Sequence, residues 1–459
     1  MGESAGRMTG TEIVTSRRLC SRVSVIPSAL FVKSPSQLPI FLTALLCSVA
    51  ALHGGAGGRA EADDALQLPT STKPAGKEAA LTTKAPLRKL VPLGGVERCK
   101  PGPWGELEYF TAYLEAPMAT IRAVEVAGME PVWTFPNSTD AEIETLLKSA
   151  KLPEAIATEL LDRARWKRQG STTLILPTRE TLAGLPEAAR ATIYAALARW
   201  PENEHHHEPF TISGGDVRTW LSGTELREEI LTTIEKTAYR RGRHLVFSDV
   251  QLVHSLAQSD AERYQISKAL SRTATLMVKM LLKPDADVSK LVEYWSTQNK
   301  RKDIAPFLES MALTPGVDQV DIIHLLPPTA RKLLNSYPNI TQIRGGMLPD
   351  CHWTSLNFLN DDTVERLVDT ALASAYTTEN FERIATPYRF GDVLFFVDAQ
   401  NGSALHSCVY IADDIVFTKN GRSLVSPWVL MKLTDVFGIY ELSNKIAVQG
   451  WRRKWPVGE

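Results

Sequence analysis

The sequence predicts an α+β protein in which a helix-rich region is followed by a domain that packs one helix on a small antiparallel sheet. Apolar residues recur at helical spacing through much of 96–335, and capping residues precede several of these stretches. The pattern changes after Pro338, where short apolar strands alternate with turns rich in glycine, asparagine and aspartate. Helices followed by a run of strands are typical of the α+β class.

The composition is that of a globular protein and provides no global attraction for nucleic acid. The chain has 459 residues, 44% of them hydrophobic, which is enough to bury cores in two or three domains. Its 51 basic and 52 acidic residues leave a formal net charge of -1, so we expect no nucleic-acid partner. Five cysteines in a chain of this length do not indicate a disulfide scaffold.

Residues 1–62 have the layout of an export segment. No acidic residue lies between Glu12 and Glu61, and basic residues precede the apolar run 38–52. That run is shorter than the roughly 20 residues of a membrane-spanning helix, and Ala60-Glu61-Ala62 offers a cleavage site. We therefore expect an exported protein, either periplasmic, in the cell envelope or secreted. In the alternative, the segment stays uncleaved as an anchor and is the chain's one contact with a membrane.

A linker is expected at 63–95, because this stretch is rich in proline, threonine, alanine and lysine and has neither helical nor strand periodicity. Folded structure is expected to begin near Val96.

The region 96–335 is predicted to be helical with a few short strands. Thr139 and Glu142 form a capping box, and Ser259 with Glu262 repeats the pattern. We expect a helix over 138–150, a second helix that follows it and ends at about 168, and further helices over 186–199, 224–241 and 259–283. Gly242 is expected to end the helix over 224–241. Short strands are expected over 172–176 and 244–247. No internal repeat, phosphate-binding glycine loop or cysteine pair with metal spacing is present, so we predict no cofactor.

The run 204–208 contains three consecutive histidines flanked by glutamates. A metal site is one interpretation, but adjacent imidazoles point in different directions and ligands from elsewhere would be required. A solvated loop is the other interpretation, and we assign no metal site.

Cys351 is the first candidate for chemistry. It follows Asp350 at the start of an apolar helical run, whereas a structural cysteine more often lies within such a run. Unpaired backbone N–H groups and the positive end of the helix dipole favour a thiolate at this position.

Three strands after this helix are predicted to form an antiparallel meander, over 389–397, 404–411 and 415–421. Period-two alternation places His406, Cys408 and Tyr410 on one face of the second strand. On the third strand, Thr418 and Asn420 share a face. The sequence thus predicts a nucleophilic site with Cys351 as nucleophile, His406 as general base and then acid, and Asn420 or Thr418 as the group that orients the imidazole. We favour Asn420, and the N–H groups at the helix start are the expected oxyanion donors.

This part of the chain resembles the NlpC-type cell-wall cysteine peptidases, which have a reduced papain-like fold. The shared elements occur in the family's order. They are a glycine pair (345–346), an Asp-Cys at a helix start (350–351), a Gly-Asp strand with two phenylalanines (391–396) and a histidine that opens a strand (406–411). The family usually has Ser-Gly after the cysteine, where this chain has His352-Trp353, and has histidine, asparagine or glutamine at the position of Thr418.

The resemblance implies a papain-like domain at 336–459 and hydrolysis of an amide bond, in peptidoglycan stem peptides or a related cell-envelope substrate. Two other functions remain open: a catalytically degenerate domain that binds the cell envelope, and a scaffold whose helical region is the functional part. A disulfide between Cys351 and Cys408 would remove the nucleophile, and once 1–62 is cleaved Cys99 is the third remaining thiol.

Overall fold

In the residues that the structure describes, the protein has a mixed α+β fold with four small antiparallel sheets. A computed structural model describes residues 93–124, 128, 130–283, 285–298, 300–339, 348–441 and 445–455. The predicted export segment 1–62 and nearly all of the linker 63–95 lie outside the described residues. The first strand begins at Leu93, close to the predicted start of folded structure at Val96.

The strands are β1 (Leu93–Arg98), β2 (Glu106–Leu114), β3 (Trp133–Pro136), β4 (Trp166–Gln169), β5 (Thr172–Ile175), β6 (Phe210–Thr211), β7 (Tyr239–Arg241), β8 (His244–Phe247), β9 (Thr273–Leu281), β10 (Gln319–Asp321), β11 (Phe381–Ile384), β12 (Val393–Asp398), β13 (Ala404–Ala412), β14 (Ile415–Lys419), β15 (Trp428–Lys432) and β16 (Ile446–Arg453).

The helices are α1 (Met118–Ala123), α2 (Asp140–Ser149), α3 (Glu154–Leu161), α4 (Arg179–Gly184), α5 (Glu187–Leu197), α6 (Glu204–His207), α7 (Val217–Trp220), α8 (Glu228–Thr237), α9 (Val250–Ser255), α10 (Asp260–Leu270), α11 (Val288–Trp295), α12 (Ile304–Leu313), α13 (Pro328–Leu333), α14 (Cys351–Asn357), α15 (Thr370–Asn380) and α16 (Leu433–Glu441). None of these described helices has both the length and the apolar composition of a membrane span.

The largest sheet lies in the C-terminal part and has the strand order β11-β16-β12-β13-β14-β15. The predicted three-stranded meander is its centre, since β12 pairs with β13 and β13 with β14, all antiparallel. A second sheet, β1-β2-β9-β10, and two three-stranded sheets belong to the part before residue 335. The meander is therefore extended on both sides by strands that follow it in the chain, with β11 at one edge.

The two faces of β13 contact different hydrophobic clusters, as the period-two pattern predicts. Val409 and Ile411 pack with Trp353 and Phe358 in the largest cluster. Cys408 and Tyr410 pack on the other face in a smaller cluster, together with Leu394, Phe396, Val416 and Val436.

The largest cluster crosses the predicted domain boundary at 335/336. It joins Leu276 and Trp295 to Phe417 and Leu430. Backbone hydrogen bonds reinforce this junction, since the N–H of Trp428 donates to the Ser336 carbonyl at 3.1 Å. The described residues all belong to one compact unit, Ala85–Glu459.

Three predicted helices end earlier than the sequence pattern suggested, because strand pairing takes over. The helix predicted up to 168 ends with α3 at Leu161, and 166–169 forms β4. Gly242, with a φ of 60°, is not a helix cap but lies in the hairpin turn between β7 and β8, so α8 ends at Thr237. The helix predicted over 259–283 ends at Leu270, and 273–281 pairs along its whole length with β2.

Two further helices lie where the sequence analysis placed none. Residues 433–441 form α16, which starts where the Leu433 N–H donates to the Asp414 carbonyl. The histidine run 204–208, expected as a loop, contains the short helix α6. The capping box of Thr139 and Glu142 is confirmed at the start of α2.

Candidate active site

Cys351 is the first residue of α14, as the sequence predicts. Asp350 caps this helix, since its Oδ1 accepts a hydrogen bond from the Trp353 N–H at 2.9 Å. The Thr354 N–H donates to the Asp350 carbonyl at 3.0 Å. Asp350 therefore accepts from the N–H groups of Trp353 and Thr354. The N–H groups of Cys351 and His352 are the other two donors at the start of the helix, and the cap does not use them.

A guanidinium group holds the capping carboxylate in place. Nε and Nη2 of Arg422 lie 3.0 and 2.8 Å from Oδ2 of Asp350, while Oδ1 is occupied by the helix N–H. The carboxylate is almost fully buried, at 9% exposure, and Arg422 is nearly half exposed. Arg422 thus links the loop after β14 to the start of α14, next to Cys351.

His406 lies in β13 opposite Phe396 of β12 and is fully buried. Its Nε2 is 3.0 Å from Oγ1 of Thr418 on the neighbouring strand β14. Its Nδ1 is also buried and has no hydrogen-bond partner among the described residues. An unpaired nitrogen in a buried imidazole is costly and requires an explanation.

Of the two predicted orienting residues, Thr418 contacts the imidazole and Asn420 does not. Asn420 lies one step further, with its Oδ1 3.4 Å from Oγ1 of Thr418, and its Nδ2 is 3.2 Å from the sulfur of Met431. When the Thr418 hydroxyl donates to Asn420, its oxygen accepts a hydrogen bond from the Nε2–H of His406. This arrangement places the imidazole lone pair on Nδ1, the nitrogen without a partner.

Hydrogen bonds tie the start of α14 to the strand that carries His406. Oγ of Ser407 donates to the Cys351 carbonyl at 3.2 Å, and Nδ1 of His352 lies 3.0 Å from that Ser407 Oγ. The His352 ring also stacks on Phe395, with centroids 5.7 Å apart. Burial lowers the pKa of His352, which favours a neutral imidazole. Ser407, which follows His406, is therefore in direct contact with both Cys351 and His352.

Cys99, Cys351 and Cys408 are all free thiols in this structure, so the alternative of a Cys351–Cys408 disulfide is not what the structure shows. Cys408 is fully buried on the same strand face as His406. Burial, and to a smaller extent the nearby Cys351, raises the pKa of the Cys408 thiol. Burial also raises the pKa of Cys99 to about 12. Both are therefore protonated at neutral pH.

Lys419 is a buried basic residue that the sequence analysis did not identify. Its side chain has no exposed surface, and its Nζ donates to the carbonyls of Gly421 and Ser423 at 2.7 and 3.1 Å. Burial lowers the pKa of Lys419 to about 7, and the negative charge of the nearby Asp350 opposes that shift. The start of α14 thus has two basic side chains beside it, Lys419 and Arg422.

Tyr440 covers the imidazole. Its ring stacks on His406 with centroids 4.3 Å apart and planes inclined by 20°. Phe396 approaches the imidazole edge to face at 5.4 Å. Burial raises the pKa of the Tyr440 hydroxyl well above its ordinary range, so this group stays neutral. Among Cys351, His406 and Thr418, only the cysteine has an exposed fraction above zero, at 7%.

The histidine run at 204–208 does not converge on a metal centre. His206 is buried edge to face against Tyr194, and burial lowers its pKa to about 3. Within the described residues, no three histidine, cysteine or acidic side chains are arranged to hold a metal ion.

Comparisons with protein-family models, with curated proteins and with solved structures gave no match to this chain.

Proposed function

We propose that the C-terminal part of this protein is a papain-like thiol hydrolase that cleaves an amide bond. The proposal is supported by a cysteine at a capped helix start, a histidine on the adjacent strand and a hydroxyl that fixes one nitrogen of that histidine. These are the nucleophile, the base and the orienting group of covalent amide hydrolysis.

In the proposed reaction, Nδ1 of His406 takes the proton of the Cys351 thiol, and the sulfur attacks the carbonyl carbon of the amide. The carbonyl oxygen becomes an oxyanion, which the N–H groups of Cys351 and His352 stabilise. The imidazolium then protonates the leaving amine as the C–N bond breaks and a thioester forms. Water, deprotonated by the same imidazole, hydrolyses the thioester, which releases the acid and restores the thiol.

The observation that carries the proposal is the unpaired Nδ1 of His406. A structural histidine in a core normally satisfies both ring nitrogens, because a buried polar atom without a partner costs about 1–3 kcal/mol. Here Thr418 satisfies Nε2 and leaves Nδ1 with a lone pair. That is the state a general base requires.

The substrate class follows from the resemblance to the cell-wall peptidases. We propose an amide bond in peptidoglycan stem peptides or in a related cell-envelope polymer, reached by export of the protein through its N-terminal segment.

The test is incubation of the purified protein with soluble peptidoglycan fragments, with release of new amino groups as the readout. The wild-type protein is expected to release amines, and Cys351→Ser is expected to release none. Cys99→Ser is the matched control, because that thiol is protonated at neutral pH and should have no part in the reaction. Equal release by wild-type protein and Cys351→Ser, or no release by either, would contradict the proposal.

The closure of the site favours a second candidate, a papain-like module that binds the cell envelope without cleaving it. The imidazole has no exposed surface and Tyr440 lies flat against it. If the domain is a binding module, the wild-type protein and Cys351→Ser should sediment equally well with insoluble peptidoglycan. Neither protein should release amines. Release of amines by the wild-type protein alone rules this candidate out.

A further inference from the structure

A cavity of about 390 Å³ lies at the far end of the large sheet from His406. It is bounded by the loop 387–392, by α11 and the turn that follows it, and by the end of β16. Gly391 and Asp392 exchange backbone hydrogen bonds with Tyr410. Since Tyr410 is four residues from His406 on β13, the cavity is about 13 Å from the imidazole along the strand. Its volume falls within the range of small-molecule sites, about 300–1,000 Å³.

Aromatic rings form much of the wall. Tyr294 and Phe390 are buried, and Tyr388 and Trp455 are partly exposed. The Tyr294 hydroxyl donates to the Ile411 carbonyl at 2.7 Å, so this residue presents its ring rather than its hydroxyl. Such walls favour a planar, apolar group by stacking and by burial of its surface.

The charged side chains of the cavity are predominantly cationic. Arg452 is neutralised by the buried Asp392, whose two oxygens accept from its Nε and Nη2 at 2.8 and 2.7 Å. Lys290 is paired with Asp287 at 2.9 Å. The remaining charges are Arg389, Arg453 and Glu293.

Two of these guanidinium groups, those of Arg389 and Arg453, have no anionic partner among the residues that the structure describes. Nη1 of Arg453 donates to the neutral side-chain oxygen of Asn360 at 2.7 Å, and its guanidinium carbon lies 4.9 Å from the centre of the Trp455 ring. Within the described residues, the side chain of Arg389 makes neither a hydrogen bond nor an ion pair, although its backbone N–H donates to Asp392. Arginines free of carboxylate partners and next to aromatic rings are suited to bind a carboxylate or phosphate group.

We propose that this cavity binds a small aromatic anion, whose ring stacks among Tyr388, Phe390 and Trp455 and whose phosphate or carboxylate is bound by Arg453 and Arg389. The site uses neither Cys351 nor His406, so it does not depend on the proposed hydrolase activity.

The test is calorimetric titration of the full chain with two probes that have different anionic groups, adenosine monophosphate for phosphate and indole-3-acetate for carboxylate. Adenosine and inorganic phosphate serve as half-probes. At least one aromatic anion should bind at millimolar concentration or below, and each half-probe should bind more weakly. Arg453→Met should weaken binding about tenfold, the effect of losing one charge-assisted hydrogen bond. Lys148→Met, which removes a positive charge from the exposed surface of α2, should leave binding unchanged.

A second readout is the change in tryptophan fluorescence on titration, which should be reduced in Trp455→Phe. Arg453→Lys, which retains the charge, should recover part of the affinity and controls for misfolding. The proposal is overturned if adenosine binds as tightly as the monophosphate, if Arg453→Met and Arg389→Met both bind like the wild-type protein, or if neither aromatic anion gives heat or a fluorescence change. A preference between the two probes identifies the anionic group.

Discussion

Oγ1 of Thr418 lies 3.0 Å from Nε2 of His406, and neither side chain has any exposed surface. In a buried site this hydrogen bond fixes both the rotation of the imidazole and the nitrogen that carries its lone pair. With Thr418 as the acceptor of a hydrogen bond from Nε2–H, Nδ1 is the ring nitrogen that remains to act as a base. The reactivity of the site should therefore depend on a hydroxyl group that is itself not the nucleophile.

Thr418→Val should lower the rate of reaction at Cys351. Valine has nearly the shape of threonine but cannot accept from Nε2, so the imidazole loses its orientation. We expect a decrease of about tenfold, which corresponds to about 1.4 kcal/mol. The measurement is the second-order rate of Cys351 alkylation at fixed pH.

Asn420→Ala is the matched control, because Asn420 is separated from the imidazole by Thr418. We expect a smaller decrease than for Thr418→Val. A larger decrease for Asn420→Ala would mean that asparagine, and not threonine, orients the imidazole.

Lys419 should make the stability of the protein depend on pH above neutrality. Its pKa is about 7 in the folded state against 10.5 for an ordinary lysine, so between these values the folded protein binds fewer protons than the unfolded chain. The free energy of unfolding should therefore rise with pH between about 7 and 10, and the cost of the buried charge is fully present below pH 7. Each pKa unit corresponds to about 1.4 kcal/mol.

Urea unfolding of the wild-type protein and of Lys419→Met at about pH 6.5 and pH 9 measures this contribution. The wild-type protein should gain stability relative to the variant at the higher pH. Lys445→Met, at an exposed position, should show no such relative change. An equal pH dependence of the wild-type protein and Lys419→Met would show that the lysine is not held in a site that disfavours its charge.

Asp350 should contribute to stability mainly as a helix cap. Removal of the capping oxygen in Asp350→Ala should cost about 1–2 kcal/mol, while Asp350→Asn retains an oxygen for the Trp353 N–H and should cost less. The pair with Arg422 adds little, because the guanidinium is nearly half exposed. Denaturant unfolding of both variants distinguishes the cap from the ion pair. If Asp350→Ala and Asp350→Asn lower the free energy of unfolding equally, the stabilisation comes from the ion pair instead.

Loss of the buried ion pair between Arg190 and Asp249 should lower the free energy of unfolding more than loss of the exposed pair between Lys148 and Glu144. Arg190 has no exposed surface, and Asp249 accepts hydrogen bonds from both Arg190 and the Tyr194 hydroxyl. Asp249→Ala leaves the guanidinium buried and unpaired, which should cost about 3–5 kcal/mol. Lys148→Ala removes an exposed pair with Glu144 and should cost less than about 1 kcal/mol, as a thermal or denaturant unfolding curve will show. Similar losses in both variants would argue against the burial of Arg190.

The features that local sequence determines were predictable. Capping residues identified the start of α2, and Asp350 before an apolar run identified the start of α14. Period-two alternation assigned the two faces of β13, and turn residues separated the three strands of the meander.

Features that depend on distant pairing were not predictable from one sequence. Residues 273–281 follow a helix without a strong break and become a strand because β2 pairs with them over nine residues. Lys419 and Tyr440 reach the site through strand register and through the packing of α16, and neither has a local motif. Lys419 lies between the polar residues Thr418 and Asn420 in the sequence, so no local pattern marked it as buried.

Mass-spectrometric mapping of thiols, after brief treatment with a low concentration of iodoacetamide near pH 6, directly tests whether His406 activates Cys351 as a nucleophile. Cys99 and Cys408 are internal controls, because the pKa of each thiol is raised and both remain protonated at that pH. We expect Cys351 to be alkylated selectively and His406→Ala to abolish this reaction. An inert Cys351 in the wild-type protein, or the same labelling in His406→Ala, would contradict the assignment of a Cys351–His406 catalytic pair.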